Sequence, residues 1–234
     1  MSRAGLSAVA LNISVIIPVL HEQERINALI TRVREQTDEP FEIIVVDGDT
    51  AGSTISGVSD RSVVTMIAAQ GRGNQLAAGA ARATGEIILM AHADTALPDN
   101  GLQIVSDAVA DGAEWGAFRL GIDATDIGFR LIERLVDLRC KLFTLPYGDQ
   151  AIFVTRSALD SCGGIPAIPL MEDVALARNL FRSGKCFSLL PQRVQTSARR
   201  WQKDGILKRT INNWWLLLRY LSGTDPVRLA QEYR

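Results

Sequence analysis

Apolar residues recur along this chain with two different periods. Ile13 to Val19 is a nearly continuous β-branched run with Pro18 near its end, the pattern of a strand buried on both faces of a sheet. From Glu22 to Gln36 the spacing changes, and Ile26, Leu29, Ile30 and Val33 fall at helical intervals. Glu42 to Val46 predicts a second buried strand, ending at Asp47-Gly48, and Ser62 to Ala68 a third. The turn Gly71-Arg72-Gly73 then opens a helix of small residues, Asn74 to Ala83. Glu86 to Ala91 predicts a fourth strand that stops at His92-Ala93-Asp94.

Strand alternating with helix in this way predicts an α/β fold, Rossmann-like, with a mostly parallel central sheet flanked by helices. Polar residues gather just after the strand ends, at Asp47, at Gly71 to Gln75 and at Asp94. Ligands of open α/β sheets bind outside the carboxyl ends of the strands, so residues 13–98 read as a nucleotide-binding half. After Pro98 the rhythm loosens. A helix near Asn100–Asp111, a strand Glu114–Leu120 and a helix Ile127–Phe143 are followed by strand Ala151–Thr155, helix Glu172–Ser183 and strand Lys185–Leu190. Mixed strand pairing and longer loops make residues 99–201 the acceptor and catalytic half, with a C-terminal amphipathic helix and tail over 202–234. No repeat or low-complexity linker interrupts the chain, so 1–234 reads as one domain.

Composition narrows the classes. The 234 residues are 47% hydrophobic and 22% charged, with a formal net charge of −1, which gives no overall attraction to nucleic acid. Cys140, Cys162 and Cys186 are widely spaced and include no C-x-x-C pair. They read as reduced, mostly buried thiols rather than a zinc or disulfide framework. Arg3 precedes an apolar stretch, Ala8 to Leu20, but Asn12, Ser14 and Pro18 interrupt it and no small-residue cleavage site follows. No window reaches the roughly 18–20 apolar residues of a membrane span. The expectation is a cytoplasmic protein.

Several residues carry candidate chemistry, each beside a plainer reading. Asp94, in a turn after a buried strand, suits a hard divalent cation bridging to phosphate oxygens, or equally a cap for the helix after Pro98. Asp47 suits a hydrogen bond from a ribose or base edge, or a turn with Gly48. Arg72 and Gly73 suit a diphosphate, or simply a turn. Glu172-Asp173 follows an apolar, Pro-rich loop from Gly164 to Met171. Acids are favoured at a helix start by the dipole, and a second one there suits a general base. Arg199-Arg200-Trp201 sets two cations beside an aromatic plate, or forms a solvated basic face. In the 205–221 helix, Leu207, Ile211, Trp214, Trp215, Leu218 and Leu221 share one face, flanked by Lys203, Lys208, Arg209 and Arg219. That face suits packing on the domain, a homodimer contact, or the inner surface of a membrane.

Taken in order, these segments resemble family 2 glycosyltransferases, which have the GT-A fold. The resemblance spans roughly residues 13–201. It rests on Ile17-Pro18-Val19-Leu20-His21-Glu22, Val45-Val46-Asp47-Gly48, His92-Ala93-Asp94 at the place of the D-x-D metal motif, Gly148-Asp149-Gln150 on the acceptor side, and Met171-Glu172-Asp173 at the catalytic base. Small bacterial members share the G-R-G-x-Q and H-A-D-T segments, here Gly71 to Gln75 and His92 to Thr95.

The resemblance implies an inverting transfer of a sugar from a nucleoside-diphosphate sugar to an acceptor hydroxyl. Asp173, with Glu172, would be catalytic. Pro18, Glu22, Asp47, Arg72, Gly73, Asp94, Arg200 and Trp201 would bind the donor. Gly148, Asp149 and Gln150 would face the acceptor, and Asp94 with His92 would hold Mg²⁺ or Mn²⁺. The chain departs from the family pattern at His92, which replaces an acid, at Gly52 and Ala77, and at Ser197, which stands for the Gln of Q-x-x-R-W. Two alternatives stay open. One is a sugar nucleotidyltransferase, although Pro18 to Glu22 fill the place of its Gly-rich loop. The other is a non-catalytic nucleotide-binding module on a degenerate GT-A fold.

Overall fold

The computed structural model describes residues 12–37, 39, 41–198 and 205–232. Its strands are β1 (Ile13–Val19), β2 (Glu42–Asp47), β3 (Val64–Ile67), β4 (Ile87–Met90), β5 (Thr95–Ala96), β6 (Trp115–Asp123), β7 (Phe153–Thr155) and β8 (Phe187–Ser197). The helices are α1 (Ile26–Arg34), α2 (Arg72–Arg82), α3 (Gly101–Ala110), α4 (Ile127–Phe143), α5 (Arg156–Ser161), α6 (Glu172–Arg182), α7 (Ile206–Leu221) and α8 (Pro226–Glu232). All eight strands join one sheet in the order β3-β2-β1-β4-β7-β6-β8-β5. The first four run parallel. Beyond them β7 pairs antiparallel with both β4 and β6, while β6 and β8 are parallel. The mixed second half is therefore continuous with the parallel first half.

The unbroken apolar runs follow from burial on both faces. Val15 and Ile17 of β1, with Ile43 and Val45 of β2, pack into a core that also holds Ile26, Leu29 and Leu102. Their neighbours Ile16, Ile44 and Val46 point into a second core with Leu76, Val174 and Leu180. Alternate side chains feed opposite cores, so polar residues have almost no place in these strands.

Two boundaries differ most from the sequence expectation. The segment Glu22–Arg25 forms a turn, with the Glu22 carbonyl accepting from the amides of Arg25 and Ile26 at 3.0 Å, and α1 starts only at Ile26. The expected strand Lys185–Leu190 continues through Pro191 to Ser197. The register against β6 jumps from Phe118↔Leu190 to Arg119↔Arg193, so Pro191 and Gln192 sit in a bulge, where a residue without an amide hydrogen is tolerated. The two-residue strand β5 and the short helix α5 carry no periodicity of their own. Of the thiols, Cys140 is buried as expected, whereas Cys162 is partly exposed and Cys186 exposed. Among the described residues no helix is long and apolar enough to cross a membrane.

At the carboxyl ends of β1 and β2, one side chain clamps the sheet. Gln75 reaches from α2 to donate from Nε2 to the carbonyls of Val19 and Val46, both at 2.8 Å. It is buried, and the Val19 carbonyl also accepts from the Gly48 amide at 2.9 Å, so amide and side chain together close this end of the sheet. The sheet is equally tight at Gly116, where a Cβ would stand 2.2 Å from the Ser188 carbonyl and 2.6 Å from the Phe153 ring. Gly116→Ala is expected to destabilise by about 1–3 kcal/mol. A thermal melt should register this as a drop of several degrees, and an unchanged Tm would refute the packing.

Candidate active site

The cleft lies where the strand topology puts it, at the carboxyl edge of the sheet. Arg72 comes from the first turn of α2, His92 and Asp94 from the turn after β4, Gly148 and Asp149 from a 3₁₀ turn, and Asp173 from the first turn of α6. These six residues line one hollow, with Thr196 and Ser197 of β8 and Asn213 and Leu216 of α7 closing it. Thus the predicted metal motif, part of the acceptor triplet, the general base and one donor cation converge, although they are up to a hundred residues apart in sequence.

Asp173 is held by backbone alone. Its Oδ2 accepts from the Gly148 amide at 2.8 Å and its Oδ1 from the Val174 amide at 2.7 Å. The residue before this pair, Met171, has φ of 65°, a left-handed conformation that costs a non-glycine residue about 1 kcal/mol. His21 and Ala151 also have positive φ, so three such residues flank the predicted motifs.

Glu172 points the other way. It is 1% exposed and its Oε1 lies 3.0 Å from Nε of Arg72. Neither oxygen has an aligned hydrogen bond among the described residues. Burial drives its carboxyl well above the ordinary range, against the pull of Arg72 and helped by the nearby Asp173 charge. A carboxyl so placed does not reach the cleft. The expected catalytic role is corrected to one of positioning, since Glu172 fixes Arg72 across the seam between α2 and α6.

Other expectations change in the same way. At Gly73 a Cβ would meet the carbonyls of Ile168 at 2.2 Å and Pro166 at 2.6 Å, so the glycine serves close packing there. It lets α2 press against the loop before α6. Pro18 is buried within β1, paired with Val46. Asp47 is fully buried. Its carboxylate accepts from the amides of Asp49 at 2.9 Å, Thr54 at 2.8 Å and Ile55 at 3.2 Å, so it folds the 48–55 loop and does not face outward. Glu22 lines an adjoining hollow that shares Asp94 and Ser197 with the cleft, and its side chain pairs with Arg25 at 3.4 Å. Arg200 and Trp201 lie outside the described residues, as do Lys203 and the side chains of Leu207, Lys208 and Arg209.

Gln150 is buried and shapes the acceptor-side turn from behind. It donates to the Phe118 carbonyl at 2.9 Å, and its Oε1 accepts from the Tyr147 amide and from Arg139, both at 3.1 Å. Sequence reading missed Arg139 and Tyr147. The Arg139 guanidinium lies 3.4 Å from the Tyr147 ring centroid and donates to the Leu145 carbonyl at 2.9 Å. A lone Arg on the buried side of a leucine-rich helix was the available signal. Beside them, desolvation pushes the Asp149 carboxyl up to about 6, opposed by Arg139 and reinforced by the Asp173 charge.

As for a metal, Asp94 offers an exposed carboxylate, whereas the Nε2 of His92 is buried against Gly148. No three His, Cys, Asp or Glu residues converge on one point among those described. The donor set suits a hard cation carried largely by phosphate oxygens and water, not a closed protein cage.

Similarities to known proteins agree with this geometry. The structure resembles the mannosyltransferase PcManGT from Pyrobaculum calidifontis, solved with GDP-Man and Mn²⁺, with a TM-score of 0.63 and 20% identity over 79% of this chain and 56% of that one. TarS 1–349 of S. aureus, solved with UDP-GlcNAc, gives 0.59 and 15% identity over 80% and 58%. A mycobacterial protein gives 0.54 and 20% over 80% and 65%. The chain therefore spans less than two thirds of each of these neighbours, and at such identities the likeness speaks for the GT-A fold. Among curated proteins, none is matched by this sequence. The sequence model for glycosyl transferase family 2 matches residues 14–161, well over half the chain and including the Asp47 loop, the α2 seam, Asp94 and the 148–150 turn. With that match and the GT-A sheet, the chain belongs to glycosyl transferase family 2.

Proposed function

We propose that this chain moves a sugar from a nucleoside-diphosphate sugar to an acceptor hydroxyl, with inversion, in the cleft between α2 and α6. The carrying observation is the convergence of Asp94, Asp149 and Asp173 beside Arg72 in one hollow. Neighbours solved with GDP-Man and UDP-GlcNAc support a nucleotide sugar as donor.

In this reading Asp173 accepts the proton of the acceptor hydroxyl as that oxygen bonds to the anomeric carbon. The bond from that carbon to the diphosphate oxygen breaks in the same displacement, and the nucleoside diphosphate leaves with the electron pair. The backbone amides that hold Asp173 keep its carboxylate oriented before substrate arrives, which is the condition for efficient general-base catalysis. Arg72, steadied by Glu172, faces the diphosphate. Gly148 and Asp149 border the acceptor, and the Asp47 loop shapes the nucleoside side. Asp94, together with the donor's phosphate oxygens, would hold Mg²⁺ or Mn²⁺, which supplies neutralisation of the charge on the departing diphosphate.

The experiment that tests the assignment is a thermal-shift screen of UDP-, GDP- and dTDP-sugars, each with and without Mn²⁺. A ligand that binds only the folded state must raise Tm. One nucleotide class is expected to do so in a metal-dependent manner, and Asp94→Ala to lose the metal dependence. Folded protein that responds to no donor would overturn the reading. Asp173→Asn is expected to lower turnover by about 10²–10⁴-fold while leaving the donor-induced shift intact, and normal turnover would remove Asp173 from the base role.

Asp149 gives a separate test in the absence of substrate. Its folded pKa of about 6 stands above the ordinary 3.8, so the folded state holds this proton more tightly than the unfolded chain. Its contribution to stability is therefore most favourable at low pH and is lost as pH rises from about 4 to about 6. Asp149→Asn should remove that loss. The stability difference between wild type and mutant, followed by denaturant titration, should change through this window and be flat above it. A difference that is flat throughout would contradict the assigned environment.

A further inference from the structure

Two helices beside the cleft expose apolar faces that no described element covers. On α4, Ile127, Leu131, Leu135, Leu138 and Leu142 recur at helical spacing and are 42–85% exposed. On α7, Ile211, Trp214, Trp215, Leu218 and Leu221 do the same at 45–58%. Single exposed leucines need no explanation, but a contiguous patch of this kind marks an interaction surface. The two stripes adjoin, since Leu135 and Trp214 line the same small cavity between the helices. That cavity is walled by Leu120, Ile132 and Val136, and it shares Tyr147, Asp149 and Asn213 with the catalytic cleft. The exposed apolar surface and the cleft thus lie on either side of one small cavity.

Cations predominate among the exposed charges along α4, although Asp126 at its start is an exposed acid. Along α4 the exposed ionic residues are Arg130, Arg134 and Lys141, of which Arg130 is paired with Glu133 at 3.1 Å. Its two acids are turned inward, Glu133 being buried and Asp137 paired with Arg193 at 2.7 Å. The sequence of α7 contains no acid, and its Arg219 is paired with Glu232 of α8. The chain as a whole carries −1, so this cationic bias is local. A two-fold contact between copies would set like charges against each other. An anionic lipid surface meets the cations with phosphate and accepts the leucines and tryptophans at the headgroup boundary.

We propose that the exposed faces of α4 and α7 together dock on an anionic lipid bilayer, which would hold the cleft at the membrane, beside an acceptor presented there. The acceptor part of this proposal rests on the glycosyl-transfer reading above, whereas the docking part does not.

The test is co-sedimentation of the full chain with vesicles of phosphatidylcholine alone, and with vesicles of equal parts phosphatidylcholine and phosphatidylglycerol. Binding is expected to the mixed vesicles, weakened by salt, and not to the neutral ones. The combined variant Leu131→Glu, Leu138→Glu and Trp215→Glu should bind at least about tenfold less, and Arg134→Glu with Lys141→Glu should weaken binding while leaving the apolar stripes intact. Circular dichroism and the donor-induced thermal shift serve as controls that both variants fold and keep the donor site. Wild type that ignores anionic vesicles, or binds them as well after these substitutions, overturns the proposal. A dimer in sedimentation velocity that the first variant dissociates would overturn it in favour of a second copy. Donor binding without vesicle binding would sink the docking surface alone, and vesicle binding without donor binding would sink the transferase reading alone.

Discussion

The seam between α2 and α6 is the constraint on which the site depends. Arg72 and Glu172 meet there, one from each half of the chain, with the carboxylate almost fully removed from water. A buried ion pair of this kind is weak evidence for stability, because desolvation offsets most of the attraction. Its worth is geometric. The guanidinium is brought to the edge of the cleft, and α6 is fixed close enough to α2 for Asp173 to share that cleft. Gly73 makes the approach feasible, since any side chain would collide with the Ile168 and Pro166 carbonyls. A motif that looks like a phosphate loop in sequence is here a joint between two halves.

The same preference for interior uses of polar groups recurs. Asp47, Gln75 and Gln150 are all buried, and each spends its hydrogen-bonding capacity chiefly on backbone. Together they set the 48–55 loop, the ends of β1 and β2, and the 147–150 turn. Only a small number of polar side chains then face the cleft itself, which is the usual economy of a binding site built on a rigid frame.

This division explains what was legible in the sequence. Strands β1, β2 and β4 could be read because burial on both faces leaves an unbroken apolar run, β3 by its short β-branched run although it is a half-exposed edge strand, and α4 because its leucines repeat at helical spacing. Strand β5 could not, since two residues have no period and exist as a strand only through pairing of Thr95 with Thr196 and Ala96 with Gln195. The far half of β8 was hidden by Pro191, a residue that ends strands unless a bulge receives it. At the site, Asp94 and Asp173 were identifiable by their place after a strand and at a helix start, and Asp149 through the resemblance of Gly148-Asp149-Gln150 to a family motif. Whether an acid faces ligand or backbone was not: Glu172 and Asp173 are adjacent and chemically alike, and the helical turn of about 100° per residue sends one inward and the other out.

The anchoring of Asp173 by the Gly148 amide also bears on how the protein can move. A hydrogen bond from the 147–150 turn to the first turn of α6 makes these two segments one mechanical piece, and the His92 ring is wedged against the same glycine. Opening on the acceptor side therefore cannot begin with this turn swinging away unless the carboxylate it orients is released. Among the described residues the opposite wall makes no such bond to Asp173: α7 contributes Asn213 and Leu216 to it. The wall of the cleft is in that sense asymmetric: one side is tied together by hydrogen bonds through the Asp173 carboxylate, and the other is held by apolar packing, of Leu216 against Leu170 and of Leu217 in the core.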